Sequence, residues 1–195
     1  GLWTTLVLTF ICMIVASLLG TAVAVMRLSS SVVLRGAAWL YIWFFRAIPI
    51  LVLLIVLYNF AALYPVIEVS IPFGPTLWSA DTNSIMTAAM ASILGLALHE
   101  AASMAEIVRS GIISVDRGQL EAADALGLTP RQRFRRVILP QAMQIIIPPS
   151  STQLLNLLKM TTLVSVLAMG DLLFSAQMIY TRTFQPIPLL IVASL

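Results

Sequence analysis

Residues 121–140 read Glu-Ala-Ala-Asp-Ala-Leu-Gly-Leu-Thr-Pro-Arg-Gln-Arg-Phe-Arg-Arg-Val-Ile-Leu-Pro, a polar island in an otherwise apolar chain. Ala122, Ala123, Ala125 and Leu126 are good helix formers, and Gly127 can take the left-handed conformation that ends a helix. Thr129 has the chemistry of an N-cap, Pro130 suits the first helical position, and Gln132 completes a Thr-x-x-Gln capping box. A second short helix then carries Arg131, Arg133, Arg135 and Arg136 around Phe134 and runs into Val137-Ile138-Leu139-Pro140. Pro140 disfavours helical geometry at Leu139 and can open the next helix at its own N-terminus. The expectation is helix, tight turn, short basic helix, turn, membrane span. A compact, capped, basic hairpin between spans reads as a docking surface.

Around this island, hydrophobic residues make up 60% of the chain and charged ones 10%, against about 25% charged in soluble domains. With a mean hydropathy of +1.01, this is the composition of an integral membrane protein. Apolar runs near 2–26, 37–64, 84–108 and 140–170 each reach the length of about 20 residues that a helix needs to cross a bilayer. A fifth begins near Pro188 and meets the end of the sequence at Leu195. The expected fold is therefore all-α: a polytopic transmembrane helical bundle of about five spans, the last truncated, forming one domain over residues 1–195. That domain is expected to be incomplete at its C-terminus and, because Gly1 opens directly into an apolar run, at its N-terminus too. Run 2–26 is too long for a signal peptide and lacks a basic front end and a cleavage site.

The net charge of +3 reports topology rather than a nucleic acid partner, because the basic residues are sorted by loop and no aromatic-interleaved basic surface exists. Residues 27–36 hold Arg27 and Arg35, with Arg46 close by, and residues 109–139 hold Arg109, Arg117 and the hairpin arginines. Residues 65–83, read as an outer loop punctuated by Pro72, Gly74 and Pro75, carry Glu68 and Asp81 and no basic residue. The positive-inside rule then puts the N-terminus outside and the hairpin in the cytoplasm, with Tyr64 and Trp78 as anchors at the far interface. The single cysteine, Cys12, forms no intrachain disulfide, and one histidine makes no histidine metal cluster. There is no Gly-x-x-x-x-Gly-Lys phosphate loop, so the chain is not expected to bind and hydrolyse ATP by itself.

Ionisable residues lie inside two of the apolar runs. His99, Ser103 and Glu106, spaced by four and three, share one face of the third run, with Glu100 beside them. Gln153, Asn156 and Lys159 recur every three residues on the fourth, followed by Thr161, Thr162 and Ser165. Two polar strips lining a translocation path are one reading. The other is structural: Glu106 pairs with Arg109 within its helix, and Lys159 neutralises Glu100 or Glu106 as glue between spans. Arg46-Ala47-Ile48-Pro49 interrupts the second run, where Pro49 can kink the helix and Arg46 marks the cytoplasmic boundary of that span. Pro148-Pro149 implies a break in the fourth run.

The spacing Glu-Ala-Ala, three residues, Gly, nine residues, Ile, one residue, Leu-Pro resembles the EAA loop of bacterial ABC importer membrane subunits. Glu121, Ala122, Ala123, Gly127, Leu139 and Pro140 match it, with Val137 in the place of Ile. The flanking stretches 1–6, 46–49, 105–111, 118–119, 137–142 and 158–165 are similar to the branch of that family that takes up polar amino acids, with departures at Ser103 and Met160. The resemblance implies a non-catalytic type I permease subunit of the prokaryotic inner membrane, paired with a second permease subunit, identical or related. It implies as well two ATP-binding cassette ATPase subunits, which bind ATP and Mg while this chain holds no cofactor and no metal, and an extracytoplasmic binding protein. Glu121, Ala122, Ala123, Gly127, Leu128, Thr129, Pro130, Arg131 and Arg133 would form the ATPase-coupling loop. His99, Glu100, Ser103, Glu106, Asn156, Lys159, Thr161 and Thr162 would line the path. Ordinary positive-inside bias and headgroup contact is the plainer account of the arginines. Two other functional classes compete. A proton-coupled secondary transporter would relay protons through His99, Glu100, Glu106 and Lys159, and leaves the hairpin without a use; a membrane scaffold leaves the polar strips without one.

Overall fold

The computed structural model describes residues 1–70, 76–167, 169–183, 187 and 191. In chain order come α1 (Leu2–Leu28), α2 (Val32–Ala47), α3 (Ile50–Tyr58), the short α4 (Phe60–Leu63), β1 (Val66–Ser70), β2 (Thr76–Asp81) and the short α5 (Thr82–Ile85). Then follow α6 (Ala88–Ile113), α7 (Arg117–Ala125), the single turn α8 (Pro130–Arg133), a π-helical segment (Phe134–Ile138), α9 (Leu139–Met160), a 3-10 segment (Thr161–Leu167) and α10 (Leu172–Thr183). Two of these, α1 and α6, are long and apolar enough to cross a bilayer alone. Counting α2 with α3, and 130–167 with α10, as broken spans raises the number to four. The fifth span expected from Pro188 lies outside the described residues.

The chain divides into two compact units, and α1, α6 and α9 each give residues to both. In the unit formed by Met13–Ala47 and Leu98–Asn156, helices approach through small residues. A Cβ on Gly20 of α1 would sit 2.7 Å from Met104 Cβ and 2.8 Å from the Ala101 carbonyl of α6. A Cβ on Gly111 of α6 would meet the Ile146 side chain and lie 3.2 Å from the Ala142 carbonyl of α9. Ala24, Val108, Val115, Ala142 and Ile146 form the buried core there, flanked by Ile107, Ile112, Leu120 and Ile138. The Tyr41 hydroxyl of α2 donates to the Leu98 carbonyl of α6 at 2.8 Å.

The other unit holds Gly1–Cys12, Ile48–Ala97 and Leu157–Leu195. There the Leu54 side chain occupies the space over Gly95, 2.7 Å from where a Cβ would be. Asp171 starts α10 by accepting from the Phe174 amide at 2.9 Å, and the Leu172 amide donates to the Thr5 hydroxyl at 3.1 Å. The expected outer loop is partly a hairpin: β1 and β2 pair antiparallel from Val66 with Asp81 to Ser70 with Thr76, with a bulge after Val69. Val66, Ile67, Val69, Thr76, Leu77 and Trp78 are strand-forming residue types, which explains the pairing. Pro72, Gly74 and Pro75 lie outside the described residues.

Two expectations from proline are overturned. Instead of a turn at Leu139-Pro140, the chain stays helical from Pro130 to Met160, with Leu139 at φ −60°, ψ −45°. The Leu139 amide bonds to the Phe134 carbonyl five residues back, so the backbone widens by one residue just before Pro140, whose ring would otherwise crowd the preceding turn. Pro148-Pro149 likewise lies inside α9 and does not end it. Ser150, Ser151 and Thr152 donate their hydroxyls to the carbonyls of Ile146, Ile147 and Pro148 at 2.7, 3.1 and 3.4 Å, adding bonds in the turn that lacks two amide donors.

Gly20→Val forces a side chain into the α1–α6 contact, and overpacking of this kind costs roughly 1–3 kcal/mol. Its thermal midpoint in detergent, followed by fluorescence-detected size exclusion, is expected to fall. Gly36→Ala, with nothing within 4 Å of the added Cβ, is expected to leave it unchanged or raise it slightly. Equal midpoints for the two variants would contradict the packing argument.

Candidate functional site

The hairpin is closed by local bonds at each of its joints. Asp116 caps α7 by accepting from the Gly118 amide at 2.8 Å. At the other end Gly127 sits at φ +70°, the Leu128 amide reaches the Ala123 carbonyl at 3.1 Å and the Gly127 amide the Asp124 carbonyl at 3.0 Å. This is a Schellman arrangement, and the left-handed residue at its centre is the glycine expected from the sequence. The predicted capping box is present as well: the Gln132 amide donates to Thr129 Oγ1 at 3.4 Å, and the Thr129 amide to Gln132 Oε1 at 3.0 Å, with Pro130 in the first turn.

One joint was not foreseen. Both oxygens of the Asp124 carboxylate accept from Arg133 Nη1, at 2.6 and 2.5 Å, tying α7 to α8. The residues are nine apart on different elements, so neither helical spacing nor motif pattern pairs them; only the reversal at Gly127 does. Arg133 is thereby engaged inside the hairpin, whereas Arg131, Arg135 and Arg136, with Thr129 and Gln132, line an open recess of about 550 Å³. Glu121, Ala122, Gly127, Thr129, Pro130 and Arg131 are exposed, Leu128 is half-buried, and Ala123 is buried. Leu126, 79% exposed, projects an apolar side chain from the same surface.

Of the intramembrane residues, His99, Ser103 and Glu106 are half-buried on α6, consistent with one shared face, while Glu100 is only 1% exposed and has an oxygen, Oε1, with no partner among the described residues. Glu106 takes the structural option in part: its Oε2 accepts from Arg109 Nε at 3.1 Å and Nη2 at 2.8 Å. His99 lies beside the main chain of Phe45 and within electrostatic reach of Arg46. Arg46 lies in the last turn of α2 and lines one recess with Arg27, which lies in the last turn of α1. Pro49 does break the helix there, ending α2 at Ala47 and opening α3 at Ile50. The amide of Asn156 donates to Gln153 at 3.3 Å. Thr161 is buried and Thr162 exposed, and both hydroxyls turn back to their own helix, onto the Leu158 and Lys159 carbonyls at 2.6 and 2.7 Å. Lys159 is exposed in the last turn of α9. A group of three or more metal-ligating side chains is not found among the described residues.

Residues 4–195 match the family described as binding-protein-dependent transport system inner membrane component. The chain belongs to that family. Within it, the chain is 43% identical over 192 residues to the arginine transport system permease protein ArgU of Corynebacterium glutamicum, covering 97% of this chain and 59% of that one. It therefore spans little more than half the length of that relative. It is 37% identical over 195 residues to the probable amino-acid ABC transporter permease protein YckA of Bacillus subtilis, covering 100% of this chain and 78% of the relative. Its fold matches the crystal structure of an amino acid ABC transporter with histidines at a TM-score of 0.83 and 34% identity, over 100% of this chain and 82% of that one. As a member of the family it is a multi-pass inner membrane component of a transport system, and none of these relatives is named as a proton-coupled carrier.

Gly127→Val places a branched side chain in left-handed backbone and is expected to cost about 1–2 kcal/mol of local stability. Arg133→Ala removes an ion pair that is 32% and 55% exposed on its two sides, worth under about 1 kcal/mol. Hydrogen exchange of the Gly127 and Leu128 amides should therefore accelerate more in the first variant than in the second, and only the second effect should shrink in high salt.

Proposed function

We propose that this chain is the membrane-spanning subunit of an ATP-driven importer of polar amino acids, and that the hairpin of α7 and α8 receives the stroke of a cytoplasmic ATPase. The hairpin itself carries the proposal: a capped, cross-tied, basic projection with exposed Glu121, Ala122, Leu126 and Arg131 has the stiffness and the surface that docking requires. Ala122 and Gly127 permit close backbone approach, while Arg131, Arg135 and Arg136 offer charge-assisted bonds to acidic groups. Because α8 continues through the π segment into α9 without a turn, a displacement of the docked end enters α9 directly, and alternating access follows. The names of the arginine and amino acid relatives support the substrate class.

In this reading the hairpin faces the cytoplasm and the N-terminus the exterior, two ATPase subunits supply the ATP and Mg sites, and a second permease subunit, identical or related, completes the path. An external binding protein delivers the solute. Of the residues expected on the path, His99, Ser103, Glu106 and Asn156 are half-buried and Lys159 and Thr162 exposed, whereas Glu100 at 1% and Thr161 at 0% exposure are buried.

Affinity purification of the tagged chain from native membranes is expected to recover an ATPase with Walker motifs, and uptake is expected to survive an uncoupler. Glu121→Lys and Gly127→Val should each abolish ATP-driven uptake while inserting normally. Recovery of the chain alone, with uncoupler-sensitive uptake, would sink the reading.

A further inference from the structure

Within the unit built from Met13–Ala47 and Leu98–Asn156, an apolar groove of about 460 Å³ runs between α1, α6 and the helix that carries α9. Phe134, Leu139, Met143 and Ile147 line one side of it, with Val25 of α1 and Val108 of α6 on the others. Hydroxyls on its walls are already used: those of Thr21, Ser150 and Ser151 donate to carbonyls of their own helices at 2.7, 2.7 and 3.1 Å. A polar solute gains little from such a lining, whereas hydrocarbon gives up nothing there. From Leu139 to Leu154 the groove follows α9 for about 22 Å at 1.5 Å per residue, room for a lipid chain crossing one leaflet of an about 30 Å hydrocarbon core.

The π segment decides what stands at the end of this groove. Regular α-helical spacing back from Ile147, Met143 and Leu139 would bring Arg135 or Arg136 into line. The bond from the Leu139 amide to the Phe134 carbonyl adds a residue to that turn, and Phe134 takes the place instead. Arg135 and Arg136 line the neighbouring recess of about 550 Å³ with Thr129, Arg131 and Gln132, and no carboxylate is among its lining residues. Both arginines are exposed and take part in none of the ion pairs found among the described residues.

We propose that groove and recess together bind one anionic phospholipid of the cytoplasmic leaflet, with an acyl chain in the groove and the phosphate on Arg135 and Arg136. From the reading above the proposal takes only the cytoplasmic side of the hairpin. The two arginines precede Leu139, where α9 begins, by four and three residues, or about 5 Å, which sets them in the headgroup layer when α9 spans the hydrocarbon. Guanidiniums with no acid beside them suit a phosphate, and a zwitterionic headgroup would bring its ammonium against the same positive charge. An apolar stretch of protein could fill the groove but makes no use of the arginines at its end; a lipid uses both. The lipid anchors the start of α9, where displacement of the hairpin enters that helix, and leaves Arg131, a turn farther from the span, to the ATPase.

The permease–ATPase complex, purified from native membranes in mild detergent, is exposed to two photoreactive lipids that share one diazirine-bearing acyl chain, a phosphatidylglycerol and a phosphatidylcholine, and labelled peptides are mapped by mass spectrometry. Phosphatidylglycerol is expected to label α9 around Met143 and Ile147 about tenfold or more above phosphatidylcholine. Joint Arg135→Gln and Arg136→Gln substitution should lower that label to the phosphatidylcholine level and leave labelling elsewhere on the apolar surface as it was. Ile147→Trp, which fills the groove and keeps both arginines, should remove the label at Met143 with either lipid. Equal labelling by the two headgroups in the wild type, or a preference that survives loss of both arginines, would overturn the site. So would a groove that neither lipid labels, the result expected if a second copy or another stretch of protein covers it. Absence of an ATPase from the preparation would count against the importer reading, while the headgroup contrast is read on this chain in either case and decides the site by itself.

Discussion

Close approach of α6 to α1 and α9 is the constraint on which the described half of the bundle around residues 98–156 depends. Lipid tails are as apolar as leucine, so the hydrophobic effect that drives soluble cores gives little attraction between helices inside a bilayer. Dispersion contacts must do so, and they fall away within an ångström of extra separation. Gly20 against Ala101 and Met104, and Gly111 against Ala142 and Ile146, bring backbones to the distance at which such contacts are made. Ala101, Ala102 and Ala105, at 0% exposure, continue the same small-residue surface. With α6 held in this way, Glu106, Arg109 and His99 keep fixed positions relative to Arg27 and Arg46, and α9 leaves the hairpin at a fixed place.

The hairpin follows a different physics, because its stability is local and polar. Orphan amides and carbonyls at its helix ends are met by Asp116, by the left-handed Gly127 turn and by the Thr129–Gln132 box, so little is left for an outside partner to organise. A rigid projection transmits displacement; a frayed one would absorb it. The π segment matters for the same reason, since it lets a helix carrying Pro140 remain one piece from Pro130 to Met160.

Much of this was legible in the residues. Gly127, Thr129, Pro130 and Gln132 act through bonds to near neighbours, so their geometry could be read from spacing alone. The membrane class followed from composition, and the spacing of the EAA-like segment pointed to the family that the comparisons then established. Glu106 with Arg109 was readable as a pair three residues apart on one helix.

What the sequence by itself determined, then, were the membrane character, the long helices, the hairpin's caps and the family. Each depends on hydrophobicity summed along the chain or on bonds between residues a few positions apart. Tertiary structure alone decided that Asp124 closes on Arg133, that Pro140 and Pro148-Pro149 stay within helix, and that Arg27, Arg46 and Glu106 line one recess. It also decided that Glu100 is enclosed while Glu106 stays half-buried. These outcomes depend on which distant surfaces meet, and on whether a helix can widen or borrow a hydroxyl to accommodate a proline, which no linear spacing records.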